Sequence, residues 1–177
     1  IMAVTDGSYN KKLRKDICGA GWVIFCTQTG KWVSGSFAEK SISANSYRGE
    51  LLGMLAIHLF LLAYEEFYQM QGTINEIYCD NKGAVITFSK TASRISSGAK
   101  HCDIRRVLRQ VQQRMKTRTT ARHIVKAHQD DFIHRSLLSL PAQLNCFCDD
   151  LAKRAVNSAI HNPAFASGQL PLEKGAL

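Results

Sequence analysis

Three carboxylates interrupt apolar stretches of this 177-residue chain, where a charge without a partner is costly. Asp6 follows the run Ile1 to Thr5 (IMAVT), Glu50 stands beside the run Leu51 to Tyr64, and Asp80 follows Ile74 to Cys79 (INEIYC). A fourth acid, Asp149, precedes Leu151-Ala152. Carboxylates gathered in one crevice repel one another and resist ionisation until a cation neutralises them. Hard oxygen ligands select Mg²⁺, with Mn²⁺ as a substitute, over zinc. Two such ions about 4 Å apart activate a water on one side of a phosphodiester and stabilise the leaving oxygen on the other. Taken singly, Asp6 reads equally well as a turn residue, Asp80 as a helix cap, and Glu50 more readily as a surface acid of its helix. Their joint placement favours a shared site.

Charge points to the same class of substrate. The chain carries a net charge of +9, and between Lys82 and Lys126 there are twelve Lys or Arg against one acid, Asp103. The rest has eleven bases and thirteen acids. A one-sided basic block on a folded domain is the footprint of a polyanion, most commonly nucleic acid, the alternative being a solvated basic face with no partner.

The elements that must hold these residues follow from periodicity. Ile1 to Thr5 reads as a strand ending at the turn signal Asp6-Gly7-Ser8, which places Asp6 at a strand end. Gly19 to Cys26 and Lys31 to Phe37 read as a hairpin, and Ser46 as the cap of a helix from Tyr47 to about Met70. Ile74 to Cys79 is a fourth strand, followed by a helix opening at Asp80-Asn81. Asp103 to Thr117 is an amphipathic helix with Arg105, Arg106, Arg109 and Arg114 on its polar face. Ala121 to Ala127 is a fifth strand, and a last helix spans about Gln143 to Ala159. The order β-β-β-α-β-α-α-β-α implies an α/β fold with helices packed on one sheet. One globular domain over residues 1–160 and an irregular tail over 161–177 are expected. The apolar run Leu51 to Tyr64 has 14 residues, short of the roughly 20 of a membrane span, so a buried helix and no membrane partner are expected. The six cysteines sit mostly in apolar runs and nothing at the start reads as a signal peptide, which suggests reduced thiols and an intracellular setting. Cys146 and Cys148 have a C-x-C spacing, but no second pair lies at a distance suited to zinc. A strand begins at once from Ile1, as in a piece of something longer.

Five ordered motifs over about residues 3 to 156 resemble the type 1 ribonuclease H family, especially the versions carried by reverse-transcribing elements. They are Thr5-Asp6-Gly7-Ser8 with Gly19-Ala20-Gly21, Arg48-Gly49-Glu50-Leu51, Asp80-Asn81, Val125-Lys126-Ala127-His128, and Asn145 to Ala152 (NCFCDDLA). The resemblance implies a ribonuclease H-like fold with a five-stranded mixed sheet. It implies that Asp6, Glu50, Asp80 and Asp149 bind two Mg²⁺, with Asp6 contacting both, and that the RNA strand of an RNA–DNA hybrid is hydrolysed to 5′-phosphate and 3′-hydroxyl ends. His128 would assist proton transfer or product release. Asp149 is preferred to Asp150 because it stands three residues before Ala152, as the family pattern requires. Asp130 and Asp131 read as a solvated loop.

Recognition of ribose rests on the 2′-hydroxyl, for which Asn45, Ser46 and Gln143 are candidates, each with a capping or loop-structure role as the alternative. Arg48, Asn145, Arg105, Arg106 and Arg109 are further candidate nucleic-acid contacts. Three features depart from the family pattern. Only 23 positions separate Asp80 from Asp103, too few for the extra basic helix of cellular members, so hybrid affinity would rest on the arginines or on a linked polymerase domain. From His128 to Asp149 there are 21, longer than usual, and the segment after Ser8 (YNKKLRKD) is basic rather than glycine-rich. A transposase or integrase of the same broad fold and a non-catalytic tethering domain are the rival readings.

Overall fold

Small and β-branched residues carry the chain through three antiparallel strands, β1 (Met2–Tyr9), β2 (Ile17–Phe25) and β3 (Trp32–Lys40). In the computed structural model, which describes residues 1–69, 74–89, 95–123 and 132–167, these are followed by α1 (Ser46–Tyr68), β4 (Ile74–Cys79), α2 (Lys82–Ser89) and α3 (Cys102–Arg114). Then come β5 (Arg118–His123), α4 (Leu140–His161) and β6 (Ala166–Ser167). The sheet order is β5-β4-β1-β2-β3-β6, with β4 and β5 parallel to β1 and β6 parallel to β3.

The sheet thus has six strands where five were expected. The sixth is a two-residue edge strand between Pro163 and Gly168, too short to carry a period, and it draws the first part of the expected irregular tail onto β3 beside Ala38 and Glu39. β1 also continues past Thr5, because Asp6, Gly7 and Ser8 pair with Gly21, Ala20 and Gly19 of β2. Long-range pairing overrides the local turn signal, and Asp6 lies inside a strand rather than at its end.

Strand alternation sorts the core into two layers. Cys18 and Ala20 face α1, α2 and α3, packing with Leu51, Leu55, Phe88, Ile104 and Leu108. Val4 and Val23 face α4 through Cys148, Leu144 and Phe147. α1 is held at its start by Asn45, not Ser46: the Asn45 side-chain oxygen accepts the Arg48 backbone N–H at 2.9 Å, and Ser46 is the first helical residue. At 23 residues, α1 is the one helix among the described residues long and apolar enough to cross a membrane, yet it packs against β1, β2 and α3.

Arg48 overturns one expectation. Its side chain is 0% exposed and donates to Glu39 at 2.6 and 2.9 Å and to Asp103 at 3.2 and 2.8 Å. Burial works against the guanidinium charge, but the hydrogen bonds to Glu39 and Asp103 outweigh it and hold its pKa above the ordinary value. Arg48 ties β3, α1 and α3 together and is closed to a phosphate.

His58 on α1 is another buried polar group, with Nδ1 donating to the Met54 carbonyl at 2.7 Å and its ring against Phe88. Nε2 has no hydrogen-bond partner among the described residues, and burial depresses the pKa to about 4. Between pH 6.5 and 4 the unfolded chain binds a proton that the folded imidazole refuses, so stability is lost as pH falls through that window, by up to about 3 kcal/mol. A His58→Leu variant is expected to show a flatter fall in urea-unfolding free energy over that range. An unchanged slope would rule the residue out.

Candidate active site

Two close backbone approaches bring the acids together. A Cβ on Gly7 would lie 2.5 Å from the Glu50 nitrogen, so this glycine lets the first turn of α1 rest on β1 next to Asp6. A Cβ on Gly21 would collide with the Cys148 carbonyl, so α4 presses onto β2 at the residue that pairs with Asp6. The parallel register Thr5↔Cys79 brings Asp80, the residue after β4, near enough to Asp6 for its charge to act there. Asp6, Glu50 and Asp80 therefore converge from three elements, with Asp149 on α4 close enough for its charge to act on Asp6.

Electrostatics follow from this crowding. Asp6 is 5% exposed, and burial, then Asp80, then Asp149 push its pKa up to about 7. Glu50 is pushed well above the carboxylate range by burial and by Asp6 and Asp80. The Cys79 thiol donates to Glu50 Oε2 at 3.4 Å, and burial with the Glu50 charge raises its pKa, so it stays protonated as a donor. Cys148 is likewise raised by burial and by Asp6, Glu50 and Asp149, and donates to the Val4 carbonyl at 3.3 Å. Glu50, Cys79 and Asp80 offer ligand atoms all within 4.8 Å of one another. With the sulfur protonated, the donors left are carboxylate oxygens, which fit a hard divalent cation such as Mg²⁺ or Mn²⁺.

The two adjacent acids on α4 have different neighbours. Asp149 accepts from Lys153 Nζ at 2.6 Å, one helical turn on, while its charge reaches Asp6. Asp150 is held by Arg135 at 2.7 Å. His128, Asp130 and Asp131 lie outside the described residues.

The candidate nucleic-acid contacts scatter. Asn45 is occupied as the α1 cap and donates to the Ser43 carbonyl at 2.8 Å, with His101 3.3 Å from the same amide nitrogen. Ser46 begins α1 beside it. Gln143, near the start of α4, donates to the Leu138 carbonyl at 2.8 Å. Arg105, Arg106 and Arg109 are half-buried on α3, with Arg106 donating to the Ile95 carbonyl at 3.3 Å. Asn145 does not stand among them: it is buried and donates to Asp6 Oδ2 at 3.3 Å. Sequence reading missed Cys79 as a partner of Glu50 and Lys153 as a partner of Asp149. The i, i+4 spacing of Asp149 and Lys153 was a signal for the second. Nothing local signals the first, which depends on the first turn of α1 lying on β1 next to the end of β4.

No protein-family model and no curated protein sequence matches the chain. Solved structures do. A ribonuclease H1 from the halophilic archaeon Halobacterium salinarum superposes with a TM-score of 0.58 at 16% identity, over 89% of this chain and 98% of that one. LC11-RNase H1 in complex with an RNA/DNA hybrid gives 0.55 at 13% identity, over 90% and 98%. The protease-reverse transcriptase of prototype foamy virus gives 0.60 at 12% identity, over 88% of this chain and 20% of that one. Identities this low speak to architecture alone, and the architecture is the ribonuclease H fold.

Proposed function

We propose that this chain is a divalent-metal-dependent endonuclease that hydrolyses the RNA strand of RNA–DNA hybrids. The observation that carries the reading is the convergence of Asp6, Glu50 and Asp80, with Asp149 near, in a site where burial and mutual repulsion raise the pKa of Asp6 and of Glu50. Such a cluster destabilises the protein unless a cation is meant to occupy it.

In this reading Asp6, Glu50, Asp80 and Asp149 would hold two Mg²⁺, which would supply an activated water and charge stabilisation at the leaving oxygen. The protein's part is to fix the acids. Cys79 holds one Glu50 oxygen at 3.4 Å beside Asp80. Lys153 screens Asp149 until a stronger cation replaces it. The reaction adds the water oxygen to phosphorus and breaks the bond to the 3′ oxygen, leaving a 5′-phosphate and a 3′-hydroxyl. His128 would carry a proton at this step. Backbone phosphates would be held by the α3 arginines, Arg105, Arg106 and Arg109, and ribose hydroxyls by Ser46 and Gln143, since the Asn45 amide is spent on the α1 cap, Ser43 and His101. A place beside a polymerase domain in a retroelement polyprotein is part of this reading, as the sequence motifs suggest.

The test compares strand-labelled hybrid, duplex DNA and duplex RNA of one sequence. RNA is expected to be cut in the hybrid alone, with cutting stopped by EDTA. Preferred cutting of duplex DNA would point to an enzyme of the transposase or integrase kind. Salt-sensitive hybrid binding with no Mg²⁺-dependent turnover would mark a tethering domain.

A further inference from the structure

Asn145 stands four residues before Asp149, so the two project from one face of α4. Its side chain is 5% exposed; Nδ2 donates to Asp6 Oδ2 at 3.3 Å, and Oδ1 is buried with no hydrogen-bond partner among the described residues. A buried carbonyl oxygen left unpaired is destabilising, so the residue is poorly explained as a packing or stabilising group. Nor does it suit a ribose reader, because the amide is out of solvent and one of its donors is committed to a carboxylate. What the contact does is link the two elements that carry the first and last acids, β1 with Asp6 and α4 with Asp149.

The Gly7 backbone and Glu50 also favour the charged form of Asp6, and Glu50 is itself an acid of the cluster. Asn145 is a neutral donor reaching Asp6 from the α4 side. A donor that fixes one carboxylate oxygen leaves the other to a cation and sets the rotamer in which it is offered. Groups behind metal-binding side chains act in this way, and their loss weakens metal affinity about 10- to 100-fold.

Resting on the reading of Asp6 as a metal ligand, we propose that Asn145 is a positioning residue: it orients the Asp6 carboxylate toward the cation shared with Asp149, and does not contact nucleic acid.

The experiment compares the full chain with Asn145→Ala and Asn145→Ser. Hybrid cleavage is followed against Mg²⁺ concentration, Mn²⁺ binding without nucleic acid by electron paramagnetic resonance, and hybrid affinity in EDTA. Both variants are expected to need about 10- to 100-fold more Mg²⁺ for half-maximal rate and to bind Mn²⁺ more weakly by a similar factor. The KM for hybrid at saturating Mg²⁺ and the affinity in EDTA should stay within about twofold, a pattern that loss of folding would not give, since it would lower all three together. A raised KM with unchanged Mg²⁺ dependence would make Asn145 a nucleic-acid contact and overturn the proposal. Unchanged Mg²⁺ and Mn²⁺ responses in both variants, or loss of all three readouts together, would overturn it as well. Failure of the underlying reading shows separately, in the unmutated chain, as absence of both Mn²⁺ binding and hybrid cleavage.

Discussion

An Arg48→Met variant is expected to lose about 3–5 kcal/mol of folding stability, enough to unfold much of an ordinary domain. Arg48 is fully buried with Glu39 and Asp103, both also buried. Met fills similar volume but leaves two carboxylates out of water and without their cation. Arg48→Lys is expected to fail nearly as badly, because one ammonium cannot replace a fork that makes four hydrogen bonds to two acids. Combining Arg48→Met with Glu39→Gln and Asp103→Asn should recover a large part of the loss, since the charges then go together. Urea unfolding at neutral pH measures all three. A loss under about 1 kcal/mol in Arg48→Met, accompanied by weaker hybrid binding, would return the residue to the nucleic-acid surface where its sequence motif first placed it.

Asp6→Asn is expected to move activity and stability in opposite directions. The variant keeps the shape of the side chain but cannot share two cations, and losing several kcal/mol of charge stabilisation corresponds to a fall in cleavage of about a thousandfold or more. Without metal the same change should stabilise the protein. The Asp6 carboxyl is raised from 3.8 to about 7 on folding, so its contribution to stability is complete below about pH 4 and is lost as pH rises through 7. At pH 8 the ionised group therefore costs the metal-free fold up to about 4 kcal/mol, which the amide removes. Thermal melts in EDTA should show Asp6→Asn above the unmutated chain at pH 8 and level with it near pH 4. Mg²⁺ should raise the melting temperature of the unmutated chain and raise the variant much less. Undiminished cleavage, or equal melts at pH 8, would remove Asp6 from the site.

Much of this was legible in the residues. The element order, the positions of β4 and α3, and the apolar α1 follow from periodicity that tertiary contacts reinforce. β6 was not legible, because two residues at a sheet edge have no pattern of their own. The true length of β1 was hidden by Asp6-Gly7-Ser8, which looks like a turn and becomes a strand because Gly19 to Gly21 lie opposite. At the site, Asp6, Glu50 and Asp80 announced themselves as charges in apolar company and are brought together. Arg48 and Asn145 misled for one reason: both sit inside motifs that bring acids together, and motif position does not reveal which way a side chain points. Arg48 turns inward to Glu39 and Asp103, and Asn145 turns to Asp6. The roles of Gly7 and Gly21 could be read only once the helices lay on the strands.

The most direct test is anomalous diffraction from a crystal soaked with Mn²⁺ and grown with an RNA–DNA hybrid. Two anomalous peaks are expected, one on Asp6, Glu50 and Asp80 and one on Asp6 and Asp149, both beside a phosphate of the RNA strand. No peak at Asp6, or peaks confined to exposed acids such as Asp150, would contradict it.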